Sequence, residues 1–129
     1  MANAHAKNFS EIEGVTLAGA VDVNINSVEA FREKYNIERA FTSLDDALAW
    51  GDFDSVANIT PDNIHYPTTM QCLRAGKHVF CEKPLAVNHQ DAMEMAQTAE
   101  AAHLVGMVNL TYRNVAQLQA ARKLVTSGQ

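Results

Sequence analysis

Five short apolar runs, each followed by a segment of helical character, set the strongest constraint on what this chain can fold into. The runs are VTLAGAVD (15–22), RAFTS (39–43), FDSVANIT (53–60), KHVFC (77–81) and LVGMVNL (104–110). They are brief and rich in small and β-branched residues, which fits strands buried on both faces. Between them lie VEAFREKYN after Ser27, LDDALAW after Ser43, a helix expected from Pro67 to Ala75, and one from Asn88 to about His103. A last helix, NVAQLQAARKLVTS (114–127), precedes Gly128. Ser43 with Asp46 and Asn88 with Asp91 have the spacing of helix caps, Gly76 stands where a helix would close, and DNIH (62–65) reads as loop. Strands separated by helices imply a parallel sheet covered on both sides, an α/β doubly wound architecture. In such sheets ligands bind beyond the carboxyl ends of the strands. Those ends carry Asp22, then Thr60-Pro61-Asp62-Asn63, then Glu82-Lys83-Pro84, then Asn109.

Composition narrows the partners. Of the 129 residues 47% are hydrophobic and 19% charged, as in a folded soluble protein. Ten basic and fifteen acidic residues give a net charge of −5, with no basic run, which argues against nucleic acid or an anionic membrane surface. The first residues, MANAHAKNFSEIEG, have no apolar signal core, and no stretch reaches the roughly 20 apolar residues of a membrane span. Cys72 and Cys81 have no metal or CxxC spacing and read as buried free thiols of a reducing, cytoplasmic compartment. The histidines are scattered singly, so no metal site is expected.

A dinucleotide site in this fold needs a glycine-rich turn after its first strand, where backbone amides meet the pyrophosphate. No GxGxxG occurs in the sequence. MANAHAKNF nevertheless looks like the helix that follows such a turn. With Ala2 at the third position of a GxGxxG/A fingerprint, Asp22 lies 20 residues later, the offset of the ribose-binding acid. An aspartate there accepts from both ribose hydroxyls and repels a 2′-phosphate, so it favours NAD, with NADP as the alternative. The chain is therefore expected to be an incomplete Rossmann-like domain lacking the first strand and the Gly-rich loop. In the strand order 3-2-1-4-5-6 this leaves two edges that stay unpaired, close on each other, or are filled by another chain.

These stretches together resemble the N-terminal part of the glucose–fructose oxidoreductase / inositol dehydrogenase (Gfo/Idh/MocA) family. The resemblance is carried by AHAKNF, GVTLAGAVDVN, FTSLDDAL, DSVANITPDNIHYPTTMQCLRAGKHVFCEKPLAVN and MVNLTYRN, and covers essentially the whole chain. It implies that residues 1–129 are a partial NAD(P)-binding Rossmann domain, with 113–129 leading toward a substrate domain outside the sequence. It implies an oxidoreductase acting on a secondary alcohol of a sugar or polyol, in a homo-oligomer whose contacts lie in that second domain. Glu82-Lys83-Pro84 is similar to the family's EKP motif, whose proline follows a cis peptide and whose lysine points at the reacting carbon and the nicotinamide. Thr60, Pro61, Asn63 and His65 match the segment against the cofactor. Asn109, Tyr112 and Arg113 match the stretch toward the second domain. Two family features have no counterpart here: the glycine loop, and the catalytic Asp and His four residues apart in the second domain. Both imply that this chain alone is inactive, and leave a non-catalytic nucleotide-binding or regulatory module as the alternative.

Each candidate also has a plain reading. Lys83 is either a proton-transfer or oxygen-polarising group or a solvated lysine paired with Glu82. Glu82 touches the cofactor, orients Lys83, or neutralises it. Asp22 binds ribose or merely ends a strand. His65 contacts the cofactor region or is a hydrogen-bonded loop histidine. His78 reads as structural, and His5, His89 and His103 as helix-surface residues. Cys81, with no base in evidence, reads as a buried thiol. Met93, Met95 and Met107 read as core filler, with Ala92, Ala96 and Ala99 on the same inner helix face as Met95.

Overall fold

The elements alternate as the periodicity requires. The computed structural model describes residues 1–128. Helix α1 (Ala2–Ser10) leads to β1 (Gly19–Val21), α2 (Ile25–Tyr35), β2 (Arg39–Phe41) and α3 (Leu44–Trp50). Then come β3 (Ser55–Asn58), α4 (Asp62–Arg74), β4 (His78–Cys81), α5 (His89–Ala101) and β5 (Gly106–Val108). A 3₁₀ turn over Thr111–Asn114 precedes α6 (Ala116–Ser127). Among the described residues no helix is long and apolar enough to cross a membrane.

The strands are parallel, but they form two sheets. β1 pairs with β2, and β3-β4-β5 form a second sheet. β1 and β3 share no ladder, so the gap expected between them stays open. That explains why β1 is shorter and wetter than its apolar sequence suggests: Val21 is 45% exposed. Only one edge of β1 is hydrogen-bonded.

The main core lies between β4 and helices α4 and α5. Alternation along β4 sends Val79 and Cys81 into it, where they meet Met70, Cys72, Leu73, Met95 and Ala99. Each large apolar side chain buried there contributes roughly 1.5–3 kcal/mol. Phe80 points to the opposite face and meets the rings of His5 and Phe9 from α1. A Cβ at Gly106 would stand 3.0 Å from the Ala99 Cβ, so β5 lies as close to α5 as a glycine permits.

Several local expectations change. α4 begins at Asp62, not at Pro67, because Ile64 N–H donates to the Pro61 carbonyl at 2.7 Å and Asp62 suits the positive end of the helix. Pro67 therefore sits inside the helix. α2 is capped by Asn24, whose side chain accepts from Asn26 and Ser27, rather than by Ser27. Ser43 accepts from Asp45 N–H, and Asn88 accepts from Asp91 N–H. Gly76 and Gly128 take the left-handed conformation just past their helices. Met95 is core, but Met93 and Met107 are exposed at 42% and 49%, since one lies on the outer side of α5 and the other on the uncovered face of β5. Ala96 likewise faces solvent.

Candidate active site

The parallel ladder brings three strand ends level. Asn58 stands opposite Cys81, and Cys81 opposite Val108. The ladder continues one step further, with Glu82 N–H donating to the Asn58 carbonyl (2.9 Å) and Asn109 N–H to the Cys81 carbonyl (2.8 Å). The EKP stretch thus starts on a sheet rim held from both sides.

Glu82 is 6% exposed. Its Oε1 accepts from His5 Nε2 of α1 (2.5 Å) and from Asn109 Nδ2 beyond β5 (2.8 Å). Its Oε2 accepts from Lys83 N–H (3.2 Å). Burial pushes this carboxyl up, but the bonds from Asn109, His5 and the Lys83 amide outweigh it and hold the group below the usual carboxylate range. His5 is therefore no surface residue. It reaches inward because His5, Ala6 and Phe9 share one face of α1, with Ala6 buried and Phe9 half-buried.

A second network lies beneath the other side of the motif. Buried Asn58 shares its amide hydrogens among the His65 carbonyl (3.1 Å), Thr68 Oγ1 (2.6 Å) and Thr69 Oγ1 (2.9 Å). Its Oδ1 accepts from Thr60 Oγ1 (2.7 Å) and Thr60 N–H (3.3 Å). His65 is 1% exposed. Its Nδ1 meets the Pro84 carbonyl and its Nε2 the Thr60 carbonyl, each at 2.7 Å. The ring lies below the rim and joins two loops there. The peptide between Lys83 and Pro84 is cis.

Between these networks Lys83 is exposed, and among the described residues its ammonium has no carboxylate within ion-pair reach. The plain reading of Lys83 as one half of a Glu82–Lys83 pair fails, because the Glu82 oxygens already serve three other donors. Asp22, just past β1, is exposed; its Oδ1 accepts from Asn24 N–H at 2.8 Å, and among the described residues Oδ2 has no partner. Pro61 is the exposed N-cap residue of α4 and Asn63 is exposed on its first turn; Ala2 opens α1, which has no side-chain cap. Arg113 and Tyr112 are exposed on the 3₁₀ turn. Asn109 and Arg113 border an open depression of about 400 Å³ along β5. Asp22 and Ala2 have no bond to the Glu82 or His65 networks.

Sequence reasoning passed over Asn58 and misplaced His5. The available signals were a lone amide ending the apolar run SVAN, and the three- and four-residue spacing of Ala2, His5, Ala6 and Phe9. His78 is structural as expected, its Nδ1 accepting from Val105 N–H at 2.9 Å. Burial pushes the Cys81 thiol up, and that of Cys72 up to about 11. Among the described residues no group of three metal-ligating side chains converges.

A dinucleotide fits this donor set. Asp22 offers a free carboxylate oxygen at the end of β1, the uncapped start of α1 offers amide hydrogens, and Lys83 stands free at the end of β4. The model of the Gfo/Idh/MocA oxidoreductase family, NAD-binding Rossmann fold, matches residues 1–110. The chain belongs to this family. It is 36% identical over 100 residues to 1,5-anhydro-D-fructose reductase of Ensifer adhaerens, a match covering 78% of the chain and 30% of that relative. The WlbA dehydrogenase of Bordetella pertussis, solved with NADH and UDP-GlcNAcA, superposes with a TM-score of 0.92 at 27% identity, over 99% of the chain and 40% of WlbA. The scyllo-inositol dehydrogenase of Lactobacillus casei, solved with NAD(H) and scyllo-inositol, gives 0.89 at 26% identity, over 98% and 38%. The chain thus spans 30% to 40% of the length of these family members.

Proposed function

We propose that the chain is the nucleotide-binding part of an NAD-dependent oxidoreductase that moves hydride between nicotinamide and a secondary alcohol or ketone of a sugar or polyol. One observation carries this reading: Lys83 is free at the carboxyl end of a central strand while both neighbours are held, Glu82 by His5 and Asn109 and Pro84 by buried His65. A lysine so placed can take the proton of a substrate hydroxyl, or polarise a carbonyl oxygen as a cation. Glu82 is spent on His5, Asn109 and the Lys83 amide, so it orients the strand end instead of quenching the ammonium. Asp22 accepts from the adenosine ribose and disfavours a 2′-phosphate. Pro61 and Asn63 form the wall facing the cofactor. NAD, when bound, supplies the hydride acceptor at nicotinamide C4.

The alternative of nucleotide binding without turnover is favoured for the chain alone by the open gap between β1 and β3. The catalytic reading is tested by turnover. Turnover is followed at 340 nm with NAD(H) and a panel holding the inositols and 1,5-anhydro-D-fructose, in the protein that carries this chain. Lys83→Ala should lower kcat by about 10²- to 10⁴-fold with NAD affinity changed by less than about threefold. Near-normal turnover in that variant removes Lys83 from the chemistry.

A further inference from the structure

His65 is a fully buried side chain beneath the rim, 1% exposed, and no step assigned above uses it. Its two ring nitrogens lie 2.7 Å from carbonyls of two different loops, Thr60 after β3 and Pro84 after β4. Its own carbonyl is held by Asn58 at 3.1 Å, and Asn58 also holds Thr60 through Oδ1. Thr60, His65, Asn58 and Pro84 therefore form one assembly, built on buried His65 and Asn58, that links the start of α4 to the residue after Lys83. The ring thus bridges the two carbonyls with one nitrogen each, and among the described residues no other side chain bonds to both.

We propose that His65 is a positioning residue for the reaction: it clamps the Pro84 carbonyl to the Thr60 turn and so fixes where the Lys83 ammonium stands relative to the loop facing the cofactor. This rests on the assignment of Lys83 above. The physical reason is the length of the side chain. A lysine ends four flexible carbons from its backbone, so its head group is placed only if its backbone is immobile. Glu82 anchors the residue before Lys83. The residue after it is anchored by His65, whose second bond refers it to the β3 loop instead of to its own strand. Displacement of about 1 Å at a reacting group costs on the order of 10²-fold in rate.

The test is a double-mutant cycle in the full protein carrying this chain, with the same NAD(H) assay. His65→Gln leaves one carbonyl facing an amide oxygen, so kcat should fall about 10- to 100-fold with NAD affinity and KM within about threefold. The decisive variant is Lys83→Ala combined with His65→Gln. If His65 acts through Lys83, the double variant turns over like Lys83→Ala alone. Multiplied losses would overturn the proposal, because a purely structural or independent role multiplies. An unchanged kcat in His65→Gln would overturn it too. Should His65→Gln unfold, His65→Ala measured with added imidazole replaces it; imidazole should restore kcat in that variant and leave Lys83→Ala unchanged. No restoration in folded His65→Ala overturns the clamp. Normal turnover in Lys83→Ala would instead overturn the functional reading on which the clamp depends.

Discussion

Replacing Glu82 measures how much of the fold's stability is concentrated at the rim of the site. The side chain is 6% exposed and accepts from His5, Asn109 and the Lys83 amide. Glu82→Ala strips three donors of their acceptor, and a buried donor left without one costs about 1–3 kcal/mol. Two effects oppose the sum: a carboxylate no longer has to be kept dry, and water can enter the cavity from the exposed rim. The net loss should be about 2–4 kcal/mol for Ala and about 1–2 kcal/mol for Gln, which keeps one acceptor but turns an amide toward a donor. That is a large share of the roughly 5–15 kcal/mol that holds a domain together. The pH dependence carries a sign. In the folded chain the bonds from Asn109, His5 and the Lys83 amide outweigh burial and hold Glu82 below the ordinary carboxylate range. Its stabilisation is therefore complete above the unfolded value and disappears as pH falls through the lowered folded value. Equilibrium urea unfolding followed by circular dichroism, for wild type and Glu82→Gln between pH 7 and pH 3, reads the difference directly. The gap should be widest near neutrality and shrink below about pH 4. A gap under about 0.5 kcal/mol at pH 7, or one that widens with acid, refutes the assignment of Glu82 as an ionised strut.

Asp22→Ala should lower the ratio of NAD to NADP affinity at least about tenfold, read by fluorescence titration with both reduced nucleotides, since the repulsion of a 2′-phosphate goes with the carboxylate; an unchanged ratio sinks the ribose assignment. Cys72, with its thiol pushed up to about 11 by burial, should react with a disulfide reagent at pH 8 only after unfolding, because on the order of 0.1% is thiolate at that pH. Rapid native labelling of Cys72 would contradict the packing of α4 on β4.

The repeating elements were legible because each carries its own periodicity, and the strand ends were legible because a topological rule maps them to one rim. The positions of Lys83, Asp22 and the TPDNIH stretch past strand ends needed only that rule and the resemblance. Which polar side chains turn inward was not legible, because that depends on partners far apart in the sequence. His5 and Glu82 are 77 residues apart, and Pro84 and His65 are 19 apart. His5 looks like any polar residue on a short helix until β4 supplies Phe80 and Glu82. Pro67 misled for a related reason. Proline favours a first turn, but α4 already had a better start at Asp62, and a missing N–H inside a helix is tolerated when packing elsewhere holds it. The buried face of α4 carries His65, Thr69, Met70, Cys72 and Leu73.

The two networks also explain why acid, base and proline stand side by side in this motif. A free lysine beside a free glutamate would pair with it, and the ammonium would lose its reach. Here the glutamate is the first residue past β4, where alternation sends its side chain to the same face as Phe80, toward α1 and the Asn109 loop. Both of its oxygens then accept from donors other than the ammonium. The proline carbonyl on the far side is held toward α4 by His65. The three residues thus divide one task. Glu82 ties the motif to α1 and β5, Pro84 ties it to β3 and α4, and Lys83 is the only member whose charged end stays uncommitted among the described residues. A Lys83→Arg change would keep the charge yet bring a planar fork that suits bidentate carboxylates, which is why charge alone does not define this position.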